Sequence, residues 1–316
     1  MPLVEQVIAD GRQAGQPVNA RILFSGHPSA NRTGKLHAMI AGLNASKNEL
    51  VAFVDSDMRQ DRMALRVLVA TLLADDRAGS AFAPVIASEP PSTVGDAVCA
   101  LMINGLYEPA ALATADELGG ELPFIMGHLM AFRREAIKAI GGLETAEGQL
   151  VDDMFLGRCL NECGYRNRIS PHPVAIIHRG TTILGFVQTL VRWIAFSRSG
   201  LPTLSFKLRH WLTGMAFWGG LAIALLEAST GHPLLACFAA LAPLSVVAMI
   251  NDLNCRMAGA SLPPKYLWVS LLLWLAAPLI YAQILTAREV NWRGRRYQLN
   301  MHSRLGQSNS NGNPRR

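Results

Sequence analysis

The chain has 316 residues, 50% of them hydrophobic and only 16% charged, with a formal net charge of +6. So little charge excludes a disordered chain and argues against an ordinary water-soluble domain, which carries about a quarter charged residues. The charge is also unevenly divided: residues 1–203 hold 20 acidic and 18 basic side chains (−2), whereas residues 204–316 hold 3 and 11 (+8).

MPLVEQVIADGRQ (1–13) has the spacing of an amphipathic helix and lacks the order of a secretory signal. ARILFSG (20–26) predicts a short apolar strand. KLHAMIAGLNAS (35–46) predicts a helix with Leu36, Met39, Ile40 and Leu43 on one face. ELVAFVDSD (49–57) predicts a buried strand ending in carboxylates. DRMALRVLVATLLADD (61–76) is helical in spacing and GSAFAPVIA (79–87) strand-like. This alternation predicts an α/β domain over residues 1–182 with a largely parallel sheet. In such sheets ligands bind beyond the carboxyl ends of the strands.

Three patterns in this part carry chemistry. Asp55 and Asp57, two residues apart at a strand exit, can converge on one Mg²⁺ or Mn²⁺ ion and leave positions open for a diphosphate. They equally suit a strand-ending turn. Asp152 and Asp153 stand where a helix begins, as caps of its dipole or as a general base facing an acceptor hydroxyl. Gln188 and Arg192 share one face of the apolar helix 183–197, with Trp193 beside them. Such a helix lies at a membrane interface and either presents the polar pair to a ligand or lets the Arg reach water. Asn31 and Lys35 stand where a helix N-terminus could meet a nucleotide. The spacing of G-H-P-S-A-N-R-T-G-K (26–35) is wrong for a Walker phosphate loop. His128 follows Gly127 and reads as a substrate contact or a packed core residue.

From residue 211 the composition changes. Uncharged runs cover 211–226, 233–250 and 266–287. A membrane helix needs about 20 apolar residues, so we expect three membrane segments within 210–287, the first two as a hairpin across Glu227–His232. The basic residues Arg192, Arg198, Lys207 and Arg209 place the entry side in the cytoplasm. The tail 288–316, with seven Arg against one Glu, belongs on the same side, which three crossings cannot satisfy. One run is then re-entrant or interfacial, or a further span precedes the chain. The end of the tail, SNSNGNPRR, reads as disordered. Basic residues flank apolar runs instead of interleaving with aromatics, so no nucleic-acid partner is expected. Five scattered cysteines suggest no disulfide framework; Cys159 and Cys163 could bind metal only with His172 and His178, and a structural role is expected.

Asn31…Lys35, D-S-D (55–57), G-H-L-M-A-F-R-R (127–134), G-G-L (141–143), D-D (152–153), Q-x-x-R-W (188–193) and membrane segments follow one another in this order. The chain thereby resembles membrane-bound GT-A glycosyltransferases, the inverting family that includes ceramide glucosyltransferases and cellulose and hyaluronan synthases. It looks most like the bacterial ceramide-glucosyltransferase-like branch, which also includes glycosyltransferases linked to hopanoid biosynthesis. The resemblance covers roughly residues 3–300.

The resemblance implies a GT-A catalytic domain (1–182), an interfacial region (183–209), transmembrane segments (210–287) and a basic tail (288–316). It implies a nucleotide-sugar donor, a UDP-sugar, and a lipid acceptor at the cytoplasmic face of a bacterial inner membrane. Asp55 and Asp57 match the metal and sugar-diphosphate motif. Asp153 matches the general base, with Asp152 beside it. Gln188, Arg192 and Trp193 match the motif near diphosphate and acceptor. In one respect the chain departs: the family has an earlier first strand and an aspartate that helps hold uridine, and Asp10, in a helix, is no substitute. We expect an extension upstream of Met1 carrying these and a first membrane helix. The alternatives are a catalytically impaired membrane scaffold, favoured by the missing aspartate, and a polysaccharide synthase, disfavoured by the few membrane segments.

Overall fold

The computed structural model describes residues 2–15, 19–29, 31–200, 204–286, 289–292 and 295–298, with the side chains of all of these except 2, 192, 194–200, 281, 283–286, 289–292 and 295–298. Helix α1 spans Pro2–Gln13, where the amphipathic spacing predicts it. Helix α2 (Gly34–Ala45) begins at Thr33, whose hydroxyl accepts from Leu36 N at 3.0 Å and so satisfies one free end N–H. Its buried face is Leu36, Met39, Ile40 and Leu43, as the spacing predicts.

The domain continues as β1 (Leu50–Val54), β2 (Met58–Arg59), α3 (Ala64–Leu73), β3 (Ala78–Phe82), β4 (Val85–Ile86), α4 (Val94–Met102) and α5 (Glu108–Glu117). A π-helical turn, Ile103–Tyr107, joins α4 to α5. Then follow β5 (Leu129–Arg133), α6 (Arg134–Ala139), α7 (Asp152–Glu162), β6 (Arg166–Ile169) and β7 (Val174–Ile176). The main sheet has the order β1-β5-β3-β6, and a small sheet has the order β2-β7-β4.

Three expectations change. The sheet is mixed: β3 and β6 pair in parallel, but β5 lies antiparallel between β1 and β3. The chain reaches β5 only after the long α4–α5 excursion and re-enters from the opposite end. The β1 strand is an edge rather than a buried strand, with only Val51 buried. Residues 20–26 form no strand, and Phe24 is 73% exposed. A strand needs a ladder partner. This segment is held on α2 instead: His37 Nε2 meets Ser25 O at 2.6 Å, and Arg21 donates to Ala45 O.

Beyond the domain run α8 (Ile183–Gly200), α9 (Leu204–Ser229), α10 (Pro233–Ala258) and α11 (Val269–Thr286), then an antiparallel pair, β8 (Glu289–Trp292) and β9 (Arg295–Gln298). The expected hairpin is α9–α10, each 26 residues long and apolar enough to cross a membrane. The third run forms α11, Val269–Thr286, an apolar helix without a charged side chain. A further stretch, Val94–Glu117, is also long and apolar, but 72% of it is buried in the fold, against 6% and 17% for α9 and α10. It is a wall of the domain, whereas α9 and α10 expose apolar faces suited to lipid. The end of the tail, residues 299–316, lies outside the described residues.

The π turn couples domain to hairpin. Gly105 lies so close to α10 that a Cβ would come within 2.7 Å of Ile250 Cγ2. One residue earlier, buried Asn104 exchanges two bonds of 2.9 Å with the Ala87 backbone and donates to Asn254 Oδ1 of α10 at 3.0 Å. Asp96, at the first turn of α4, accepts from the backbone of Gly180 (3.1 Å) and Thr181 (2.8 Å) and so pins the approach to α8. Replacing Asn254 by Leu leaves an Asn104 donor buried without its partner, a loss of about 1–3 kcal/mol. Thermal unfolding in detergent should show a lowered midpoint; an unchanged midpoint would contradict the clasp.

Candidate active site

A cavity of about 900 Å³ opens at the exit of β1, between α2, the segment 124–128 and the start of α7. The backbone amide of Asp55 donates to His128 O at 2.9 Å, which carries the β1–β5 pairing one residue past the strand. That bond sets Asp55-Ser56-Asp57 against Gly127-His128. Both carboxylates line the cavity.

Lys35 enters from the first turn of α2. Its ammonium lies 3.0 Å from Asp55 Oδ1 and donates to Gly127 O at 2.7 Å. Burial pulls its pKa down, but Asp153, Asp152 and Asp55 outweigh burial and raise it. Lys35 is therefore a fixed positive charge. Asp153 reaches the same place from α7. A Cβ on Gly127 would collide with Asp153 Oδ2 and come within 2.7 Å of Lys35 Nζ. Only a residue without a side chain lets the acid and the lysine meet there.

Asp152 is buried and plays a different part. Thr33 Oγ1 donates to its Oδ2 at 3.1 Å, and its Oδ1 accepts from Asp153 N at 2.9 Å. Burial, and then the charge of Asp153, push its pKa up to about 6. One threonine hydroxyl thus caps α2 and ties it to α7. His128 lines the cavity; burial, and then the charge of Lys35, lower its pKa and keep the ring neutral.

The remaining predicted residues divide. Trp193 lines the cavity and packs on Tyr107, with ring centroids 6.0 Å apart. Gln188 is exposed and off the cavity wall; Thr189 lines it instead. The side chain of Arg192 lies outside the described residues. Asn31 does not line the cavity: it donates to Glu147 Oε2 at 2.7 Å, and Arg32 pairs with the same carboxylate. Among the described residues no three His, Cys, Asp or Glu side chains are grouped as a metal cage. Cys159 and Cys163 are free, and His172 pairs with Asp61 at 2.9 Å. Asp55 and Asp57 offer hard oxygen donors on an open wall. That set suits a divalent cation completing its shell with substrate oxygens.

Two cavity residues escaped sequence reasoning. His178 was weighed only as a metal ligand for the cysteines; it lines the cavity, and burial lowers its pKa. Glu108 is 2% exposed and its Oε2 has no hydrogen-bond partner among the described residues. Burial pushes its pKa up to about 8, with the Val85 amide pulling the other way. A lone acid in an apolar run was the signal in the sequence; the π turn before it, of a kind that gathers at functional sites, shows only in the fold.

The sequence model of Glycosyl transferase family 21 matches residues 2–305, and the chain belongs to that family. Ceramide glucosyltransferase 3 of Caenorhabditis elegans is 31% identical over 70 residues, which is 22% of this chain and 15% of the relative. Ceramide glucosyltransferase 1 of the same organism is 22% identical over 187 residues, 59% of this chain and 39% of the relative. The matches thus span well under half of these curated relatives. Among solved structures, a mannosyltransferase from Pyrobaculum calidifontis in complex with GDP-Man and Mn²⁺ aligns with TM-score 0.35 and 23% identity, over 81% of this chain and 67% of that one.

Glu108 makes a stability prediction. Between about 4.5 and about 8 the folded chain keeps a proton that the unfolded chain releases, so stability falls as pH rises through that window. The slope from this group is at most about 1.4 kcal/mol per pH unit. Glu108→Gln should flatten it in denaturant titrations from pH 5 to 8. Equal slopes for both proteins would contradict the assignment.

Proposed function

We propose that the chain is an inverting glycosyltransferase that moves a sugar from a UDP-sugar to a lipid hydroxyl, such as that of ceramide, at the cytoplasmic membrane face. The observation that carries the reading is the meeting of Asp55, Asp57, Lys35 and Asp153 in one cavity at a strand exit, on a domain packed against apolar helices. Membership of Glycosyl transferase family 21 supports the reaction class.

In this reading Asp153 is the general base. It takes the proton of the acceptor hydroxyl as that oxygen attacks the anomeric carbon and the diphosphate leaves. One displacement from the opposite side inverts the configuration. Asp152, bonded to the Asp153 amide and anchored by Thr33, is a positioning residue. Lys35 faces the diphosphate and offsets charge that grows on it as the bond breaks. Arg192 and Trp193 serve the diphosphate and the acceptor, as the motif implies. Asp55 and Asp57 would hold Mg²⁺ or Mn²⁺, which when bound neutralises part of the leaving group's charge. Glu108, neutral below about pH 8, offers an O–H from the cavity wall to a substrate oxygen.

The test is sugar transfer from radiolabelled UDP-glucose to ceramide by membranes containing the chain. Asp153→Asn should cut turnover by about 10²–10⁴-fold, the usual worth of a general base. Asp152→Asn should cut it less. Full turnover by Asp153→Asn would remove the base assignment, and no transfer from any UDP-sugar to any lipid would remove the reading.

A further inference from the structure

A second cavity, of about 520 Å³, lies beside the first and is walled almost wholly by apolar side chains of α9, α11, α8 and the π turn. Three observations bear on its occupant. Tyr107 and Trp193 line both cavities, so the two share a wall. That wall is an aromatic group: Tyr107 packs on Trp193 at 6.0 Å and edge-on against Phe206 at 5.7 Å. The cavity also extends along α9 from Lys207 and His210 to Trp218. Eleven residues of helix span about 16 Å, roughly half of a hydrocarbon core of about 30 Å. Lys207 belongs to the basic flank that marks the membrane surface, so the cavity runs from that surface into the apolar layer. Finally, the indole N–H groups of Trp218 and Trp274, both on its wall, are buried with no hydrogen-bond partner among the described residues. An unpaired donor in an apolar layer is costly.

We infer that this second cavity binds one alkyl chain of the lipid acceptor, with the head group passing Tyr107 and Trp193 to place its hydroxyl in the catalytic cavity. The inference rests on the proposed transfer to a lipid and adds where the lipid is held. The shared wall favours the acceptor over a bilayer phospholipid, because a chain seated there delivers its head group to Asp153. Each methylene buried there is worth about 4-fold in affinity, so chain length is read directly.

The experiment uses the full chain in lipid nanodiscs and a ceramide whose sixteen-carbon acyl chain carries a diazirine. Illumination should label peptides of α9 and α11 containing Met215, Trp218 or Trp274. Unlabelled long-chain ceramide should compete at least 10-fold better than a six-carbon analogue, and phosphatidylcholine should not compete. Ala277→Trp, which fills the cavity, should reduce labelling at least 10-fold while thermal stabilisation by UDP is unchanged. Gly214→Phe is the second filling variant if the first does not fold. Label spread over the outer faces of α9 and α10, or equal competition by phosphatidylcholine, would overturn the inference. The labelling needs no turnover. Sugar transfer without labelling of the cavity would therefore overturn this inference and leave the transferase reading standing. Labelling of the cavity without transfer would support the site and defeat that reading.

Discussion

One half-buried ammonium group organises the site. Lys35 is the meeting point of α2, the exit of β1, the Gly127 carbonyl and the first turn of α7. Burial, and then the charge of Asp153, push the pKa of Asp152 up to about 6, while Lys35 pulls it down. The charge of Lys35 lies between α2 and these acids, 3.0 Å from Asp55 and beside the Asp153 carboxylate at Gly127. Gly127 makes the room. A site for an anionic leaving group needs both signs at close range: acid for the cation and for the acceptor proton, base for the phosphate. Packing around Lys35 supplies that combination before any substrate arrives.

The placement of the cavity depends on a second constraint, the buried contact between the π turn and α10. Asn104 and Gly105 fix the domain against the hairpin, and Asp96 fixes the lead into α8. The turn that docks on α10 also contributes Tyr107 to the wall between the two cavities, and α5 begins with Glu108 on the catalytic side. The domain's seat on the hairpin and the shape of its cavity are thus set by the same few residues. In the proposed function this arrangement brings a water-soluble donor and a lipid together.

Much of this was legible in the sequence because it rests on local rules. The α2 face, the β1 carboxylates, the start of α7 and the hairpin all follow from periodicity, capping and apolar length. Long-range facts were not legible. ARILFSG has the composition of a strand, yet it has no ladder and lies on α2, because strand formation depends on a partner elsewhere in the chain. The antiparallel insertion of β5 depends on the path of α4 and α5. Asn31 has the side chain to touch a nucleotide, but Glu147, 116 residues away, takes it. Glu108 is set apart by its burial and by an oxygen unpaired among the described residues, neither of which a local pattern shows.

The central claim is that a base on α7 and a leaving group at the β1 exit act from opposite sides of one sugar. The anomeric configuration of the product tests it most directly. Nuclear magnetic resonance of the glycolipid made from an α-linked UDP-sugar should show a β-glycoside. An α-glycoside would mean retention, and a single displacement assisted by Asp153 could not be the mechanism.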